Sequence, residues 1–202
     1  MEIGIWQIAE EEDWFVERLT LYAEEESQLA QIKGRRRLEW LASRQLVHQM
    51  SGRAKRSAFL KDEYGKPYLD GSSYQISLSH SHGMTAAIAG PCELGIDIQK
   101  IVPKIGRIAH KFLRAEEQDC IQPHFFRLEH LHVFWGAKES LYKAYGRRSL
   151  DFGKHILVDP FPYHPHIGVC RGRVEKEDYH QRFEIRYEMV LADHMLVYAR
   201  EV

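Results

Sequence analysis

The sequence predicts an α+β protein made of two similar halves. Short apolar runs bounded by Gly, Pro or Ser read as strands, and longer stretches keep helical spacing. The order of helix and strands runs through twice, on either side of a hinge near Gln99–Lys104.

Each element has its own warrant. Glu2–Ile8 alternates like a strand, and Asp13–Leu21 has helical spacing. In Lys33–Met50, Leu38, Leu41, Ala42, Gln45, Leu46 and Gln49 fall near one helix face. Tyr74–Ser79, Thr85–Ala89 and Leu94–Ile98 are strands. Ile105–Phe112 and Leu128–Tyr145 are helices, the second stopped by Gly146. Ile156–Val158, Phe183–Val190 and Met195–Ala199 return to strand. The chain has no exact repeat and no low-complexity segment.

Composition excludes several classes. The 202 residues carry 28 Lys+Arg against 29 Asp+Glu and are 44% apolar, enough for a real core and unlike a disordered tail. No run approaches the roughly 20 apolar residues needed to span a bilayer. The N-terminus turns acidic at once and does not read as a signal peptide. Cys92, Cys120 and Cys170 are too scattered for a disulfide framework or a zinc knuckle. The expectation is a reduced, cytoplasmic protein without membrane attachment.

The near-neutral total hides an asymmetry. Residues 1–30 hold nine acids and one base, and residues 31–66 hold ten bases and three acids. The basic helix, with Arg37 and Arg44 on one face, reads either as a solvated surface or as a phosphate site. A nucleic-acid module would use the same helix and show steep salt dependence, but the overall charge is balanced and no recognition motif is present.

Four clusters can carry chemistry. In DEYGKPYL, Gly65 and Pro67 bracket Lys66 in a turn, which is a plain surface turn or a fixed ammonium. SLSHSHG ends a strand in Ser79, His80, Ser81 and His82, which suit turn capping or phosphate donors; zinc is weak for want of further ligands. LGIDIQK sets Asp97 between two isoleucines, where an acid needs a partner or a cation. Mg2+ is the natural guest, because it takes carboxylates and is completed by waters and phosphates. FWGAKESLYKAYG places Glu139 and Lys143 one helical turn apart, a surface ion pair or a second metal carboxylate with an ammonium beside it.

Taken in order, GKP, SxSHS, GIDI and WxxKESxxK resemble the 4′-phosphopantetheinyl transferase superfamily, and in particular its monomeric, surfactin-synthetase-activating branch. The resemblance runs from residue 33 to about Phe152. It implies a pseudodimer of two halves, 1–98 and 99–202, with the active site in the cleft between them. It implies coenzyme A as co-substrate, Mg2+ as cofactor, and transfer of the phosphopantetheine arm to a serine of an acyl or peptidyl carrier protein. The other product is adenosine 3′,5′-bisphosphate.

The residue roles follow from the same resemblance. Asp97 and Glu139 are the metal carboxylates, and Lys143 contacts phosphate. Lys138, just before Glu139, reaches toward coenzyme A. Ser79 and His80 contact its phosphates, Lys66 is the GKP lysine, and Arg44 grips the nucleotide end with Arg37 as helper. Gln99 departs from the branch, which often has a third carboxylate there. A glutamine can still ligate Mg2+ through its carbonyl but brings no charge and no base.

Glu139 is then the candidate for taking the serine proton, with Lys143 stabilising the leaving side. Carrier recognition falls on apolar residues between Ile105 and Leu131. Two other readings stay open: a coenzyme-A-binding relative without transferase activity, and another Mg-dependent nucleotide phosphoryl enzyme. The expected partners exclude nucleic acid, and the expected state is a monomer.

Overall fold

The computed structural model describes residues 1–121 and 125–202. The fold is α+β, as the sequence predicts. The first strand, β1 (Glu2–Gln7), leads into α1 (Glu12–Arg18), α2 (Ala23–Gln31) and the long α3 (Arg36–Ser51). A small hairpin, β2 (Phe59–Lys61) and β3 (Pro67–Leu69), precedes β4 (Gln75–Ser81) and β5 (Met84–Gly90). The second part opens with β6 (Leu94–Lys100), followed by α4 (Ile105–Ile108), a 3-10 turn (Ala109–Lys111), α5 (Ala115–Cys120) and α6 (Arg127–Tyr145). Four strands close the chain: β7 (Ile156–Val158), β8 (Ile167–Lys176), β9 (Tyr179–Val190) and β10 (His194–Glu201).

Two sheets organise these elements. The first has the order β1-β5-β4, the second β6-β10-β9-β8-β7, with antiparallel pairing throughout. In both, the opening strand lies beside the closing one, and the closing strand beside the one before it. The expected division between residues 98 and 99 falls inside β6. All seven residues of that strand pair with β10, so Asp97 belongs to the second sheet. The expected hinge also shortens, because Gln99 and Lys100 complete β6.

The sheets meet along β4 and β6 without a backbone ladder. Ser77, Ser79 and Ser81 alternate on β4, so their hydroxyls point to one side. Ser77 Oγ accepts from Ile96 N at 3.2 Å, Ser79 Oγ donates to Asp97 Oδ1 at 2.9 Å, and Ser81 Oγ accepts from Lys100 N at 3.2 Å. Hydroxyls thus take over part of the pairing that a neighbouring strand's backbone would give. Behind the seam, Met84, Ala86 and Ile88 pack against Ile96, Ile98 and Leu196.

Helix α6 lies against β6 and β10 at unusually close range. A Cβ on Gly95 would sit 1.9 Å from the Ser140 carbonyl oxygen, and one on Gly136 would sit 2.6 Å from Val197 Cγ2. A glycine on the strand and another on the helix therefore let the two backbones approach. The buried stripe Phe134, Ala137, Leu141, Ala144 and Tyr145 fills the core behind them. Gly146, at φ 69°, ends the helix in the left-handed conformation, and its N–H bonds back to Tyr142 O.

Five elements escape the sequence reading: α2, the hairpin strands β2 and β3, α5 and β8. Helix α2 buries only Glu25 and Leu29, so it lacks an apolar stripe. In β8 the exposed face carries Ile167 and Val169 while Gly172 lies inside, which blurs the alternation.

Candidate active site

Asp97 and Glu139 reach the seam from different elements. Asp97 sits mid-strand on β6 and is 7% exposed. Its Oδ1 accepts from Ser79 Oγ and from Lys143 Nζ, each at 2.9 Å. Lys143 also donates to Ile96 O at 2.8 Å, which fixes the ammonium over the strand edge. Among the described residues nothing donates to Asp97 Oδ2. Glu139 stands one turn before Lys143 on α6 and is half-buried, and none of the described residues donates to its carboxylate. Burial raises its pKa, the Asp97 charge raises it further, and Lys143 opposes the shift.

Two carboxylates, short of hydrogen-bond donors and repelling each other, fit a divalent cation. The donor set is two oxygen-bearing acids with one ammonium beside them, suited to a hard cation shared with phosphate oxygens rather than to zinc. Among the described residues no cluster of three or more His, Cys, Asp or Glu side chains forms a closed metal cage.

Gln99 points to the same helix. Its Nε2 donates to His132 O at 3.0 Å, which ties β6 to the early part of α6. His132 is buried and held at both ring nitrogens. Nδ1 lies 2.8 Å from Leu128 O, and Nε2 accepts from Val102 N at 3.1 Å. Accepting at Nε2 requires the neutral ring, and burial lowers the His132 pKa accordingly.

Lys138, which the resemblance directs toward coenzyme A, does not face the seam. Its side chain is fully buried on another face of α6. The ammonium donates to Phe152 O at 2.9 Å and Ile156 O at 2.8 Å, and pairs with Glu117 at 2.8 Å. Three protons meet three acceptors, leaving none for a ligand.

Arg44 is buried and Arg37 half-buried, and both are held by partners within the chain. Arg44 is 5% exposed, stacks on Trp40 and lies 3.3 Å from Glu25, which Arg56 also pairs. Arg37 clasps Glu12 and donates to Leu29 O and Ile32 O. Each acid comes from the acidic stretch and each arginine from the basic one. Much of the charge asymmetry is thus neutralised within the fold, where Arg37 and Arg44 face the chain's own acids.

A different set of cations frames an open cavity of about 490 Å³, lined by Gln31, Ile32, Lys33, Arg36, Trp40 and His80. Lys33, Arg36 and His80 are exposed there. His80 Nδ1 lies 2.8 Å from Glu39, a buried acid on α3 that also accepts from Gly83 N. The strand period sends Ser79 toward Asp97 and His80 to the other side. The sequence reading missed Lys33, Arg36 and Trp40. Their signal was there in KGRRRLEW, where Arg36 and Trp40 stand one turn apart.

Lys66 bridges the two parts of the chain. Its Nζ donates to Ala144 O at 2.9 Å, capping the last turn of α6, and Arg148 Nε donates to Tyr64 O in the same turn. Burial lowers the Lys66 pKa, opposed by Glu93 and Asp62. Lys66 and Lys143 share a cavity of about 180 Å³ with Arg147, Arg148 and Tyr142. Farther along, Phe125, Phe126, Phe161 and Tyr163 line an open cavity of about 910 Å³. This cavity lies within reach of the segment expected to recognise a carrier, of which residues 122–124 lie outside the described residues.

The fold and the site define an α+β protein with two carboxylates and an ammonium on a seam between its sheets. Comparison with known proteins narrows it. Residues 93–186, which carry Asp97, Glu139 and Lys143, match the family model of the 4′-phosphopantetheinyl transferase superfamily. The 4′-phosphopantetheinyl transferase gsp of Aneurinibacillus migulanus is 31% identical over 111 residues, covering 51% of this chain and 42% of that protein. The match spans less than half of that relative's length. No helix among the described residues is long and apolar enough to cross a membrane.

Proposed function

We propose that this protein transfers the phosphopantetheine arm of coenzyme A to a serine of an apo acyl or peptidyl carrier protein. The observation that carries the reading is the meeting of Asp97, Glu139 and Lys143 at the seam, within the segment that matches the superfamily.

In this reading Asp97 and Glu139 would hold Mg2+, which would supply charge neutralisation for the pyrophosphate. Asp97 Oδ1 accepts from Ser79 and Lys143, so Oδ2 would be left for the cation. Ser79 orients that carboxylate. Lys143 holds its ammonium where negative charge grows on the departing bisphosphate. Glu139 takes the proton of the attacking serine, directly or through a water. The serine oxygen bonds to the β-phosphorus as adenosine 3′,5′-bisphosphate leaves.

The nucleotide end falls to Lys33, Arg36, His80 and Trp40, whose cations and ring suit a phosphate and a base. Gln99 serves as a tie to α6. The two-half organisation is part of the proposal, supported by the matching strand order of the two sheets and the serine seam between them. Carrier docking is assigned to the surface between Ile105 and Leu131.

The test is intact-mass spectrometry of an apo carrier protein incubated with this protein, coenzyme A and Mg2+. The reading predicts a gain of one phosphopantetheine group. Tight coenzyme A binding with no gain on fatty-acid, polyketide and peptide carriers favours a binding protein without transferase activity. Consumption of coenzyme A without a carrier favours a nucleotide phosphoryl enzyme.

A further inference from the structure

Lys138 and Glu117 make a buried bridge that the reaction does not use. Glu117, on α5, is 2% exposed and fully engaged. Its Oε1 accepts from Val158 N at 3.0 Å, and its Oε2 accepts from Arg114 N at 2.9 Å and from Lys138 at 2.8 Å. The Lys138 ammonium also ties down the carbonyls of Phe152 and Ile156. One side chain on α6 is therefore pinned to α5, to β7 and to the segment that follows the helix.

A buried ion pair of this kind adds little net stability compared with apolar packing, because desolvation offsets the attraction. What it supplies is direction. Successive helix residues are rotated by about 100°, so fixing Lys138 fixes where its neighbour Glu139 points. On the other side of the helix, only Gln99, Ser140 and Lys143 tie α6 to the strands by side-chain hydrogen bonds among the described residues.

We propose that Lys138 and Glu117 are a positioning pair: their bridge sets the rotation of α6 and with it the placement of the Glu139 carboxylate against Asp97. The proposal rests on reading Asp97 and Glu139 as a divalent-cation site. It replaces a ligand contact at Lys138 with an action through the helix.

The experiment is a Mn2+ titration of the full chain with coenzyme A present, followed by electron paramagnetic resonance. The variant is Lys138→Met/Glu117→Gln, which removes both charges and keeps an acceptor for Val158. Val174→Ala, a core change on β8, serves as a control for lost stability, and Asp97→Asn as the blank. The expected result is Mn2+ affinity at least about tenfold weaker in the double variant, the usual effect of losing a group that orients a metal ligand. The control should bind as the wild type does. Affinity within twofold of wild type in the folded double variant overturns the proposal, and so does an equal loss in Val174→Ala. If the double variant does not fold, Glu117→Gln alone meets the same two criteria. Wild type and Asp97→Asn binding Mn2+ alike overturns the cation-site reading, and the positioning pair with it.

Discussion

Glu139 is held in a state that an isolated protein disfavours. Its carboxyl sits half-buried near another acid, and its folded pKa lies above the unfolded value. A raised carboxyl pKa means the folded chain binds the proton more tightly, so stability falls as pH rises through the unfolded value of about 4.3 toward the folded one. Above that window the penalty is constant. Glu139→Gln should therefore melt at a higher temperature than wild type at neutral pH without metal, and should lose any stabilisation by Mg2+. It should also abolish transfer while leaving the circular dichroism spectrum unchanged. Near wild-type turnover in this variant would remove Glu139 from the mechanism.

The residue scale also shows where sequence reasoning stops. Asp97, Glu139 and Lys143 were legible because an acid between isoleucines and an acid one turn from a lysine are chemically conspicuous. Lys138 and Arg44 have equally suggestive types but point inward. Their partners, Glu117 and Glu25, lie 21 and 19 residues away, and no local spacing reveals them. The acids that neutralise the basic helix were visible as a charge count and invisible as pairs.

At the scale of elements, the contact between β6 and α6 governs the site. Gly95 is required by the approach of the Ser140 carbonyl, and any side chain there must push the helix away from the strand. Gly95→Ala should lower stability by more than about 3 kcal/mol, the range of severe overpacking, and greatly reduce soluble yield. A variant that melts within a degree or two of wild type would show that the strand and helix can separate freely.

His132 gives the same pair of elements a pH dependence. Its folded pKa lies below the unfolded value of about 6.5, because burial disfavours the charged ring, and the neutral ring accepts a hydrogen bond from Val102. The neutral ring's contribution is complete above pH ~6.5 and is lost as pH falls through the folded pKa. Unfolding midpoints in urea should drop between pH 7 and 5 in wild type and change less in His132→Gln. The strands β6 and β10 and the helix α6 were predicted within two or three residues, because each carries a continuous apolar pattern. Helix α2 and strand β8 were missed, because their inward positions are few or filled by glycine and glutamate.

On the scale of the molecule, the seam decides how two sheets act as one site. Serine hydroxyls on β4 hold the open edge of β6, and one of them also orients the Asp97 carboxylate. Ser77→Ala and Ser81→Ala each remove a partner from a backbone N–H of β6 and should each cost about 1–3 kcal/mol, readable as a shift in chemical denaturation. Changes within ±0.3 kcal/mol for both would show that the seam is held by packing alone. The repeated order of elements was legible in the sequence; the sheet that β6 joins was not, since an apolar strand gives no sign of the partner it takes.

The central claim is that Asp97 and Glu139 together hold the cation that drives phosphopantetheine transfer. The measurement that tests it most directly is single-turnover transfer to an apo carrier protein, read by intact mass, for wild type, Asp97→Asn and Glu139→Gln, each with Mg2+ and with EDTA. Wild type with Mg2+ should modify the carrier, and no other arm should. Equal modification by wild type in EDTA, or by either variant with Mg2+, would contradict it.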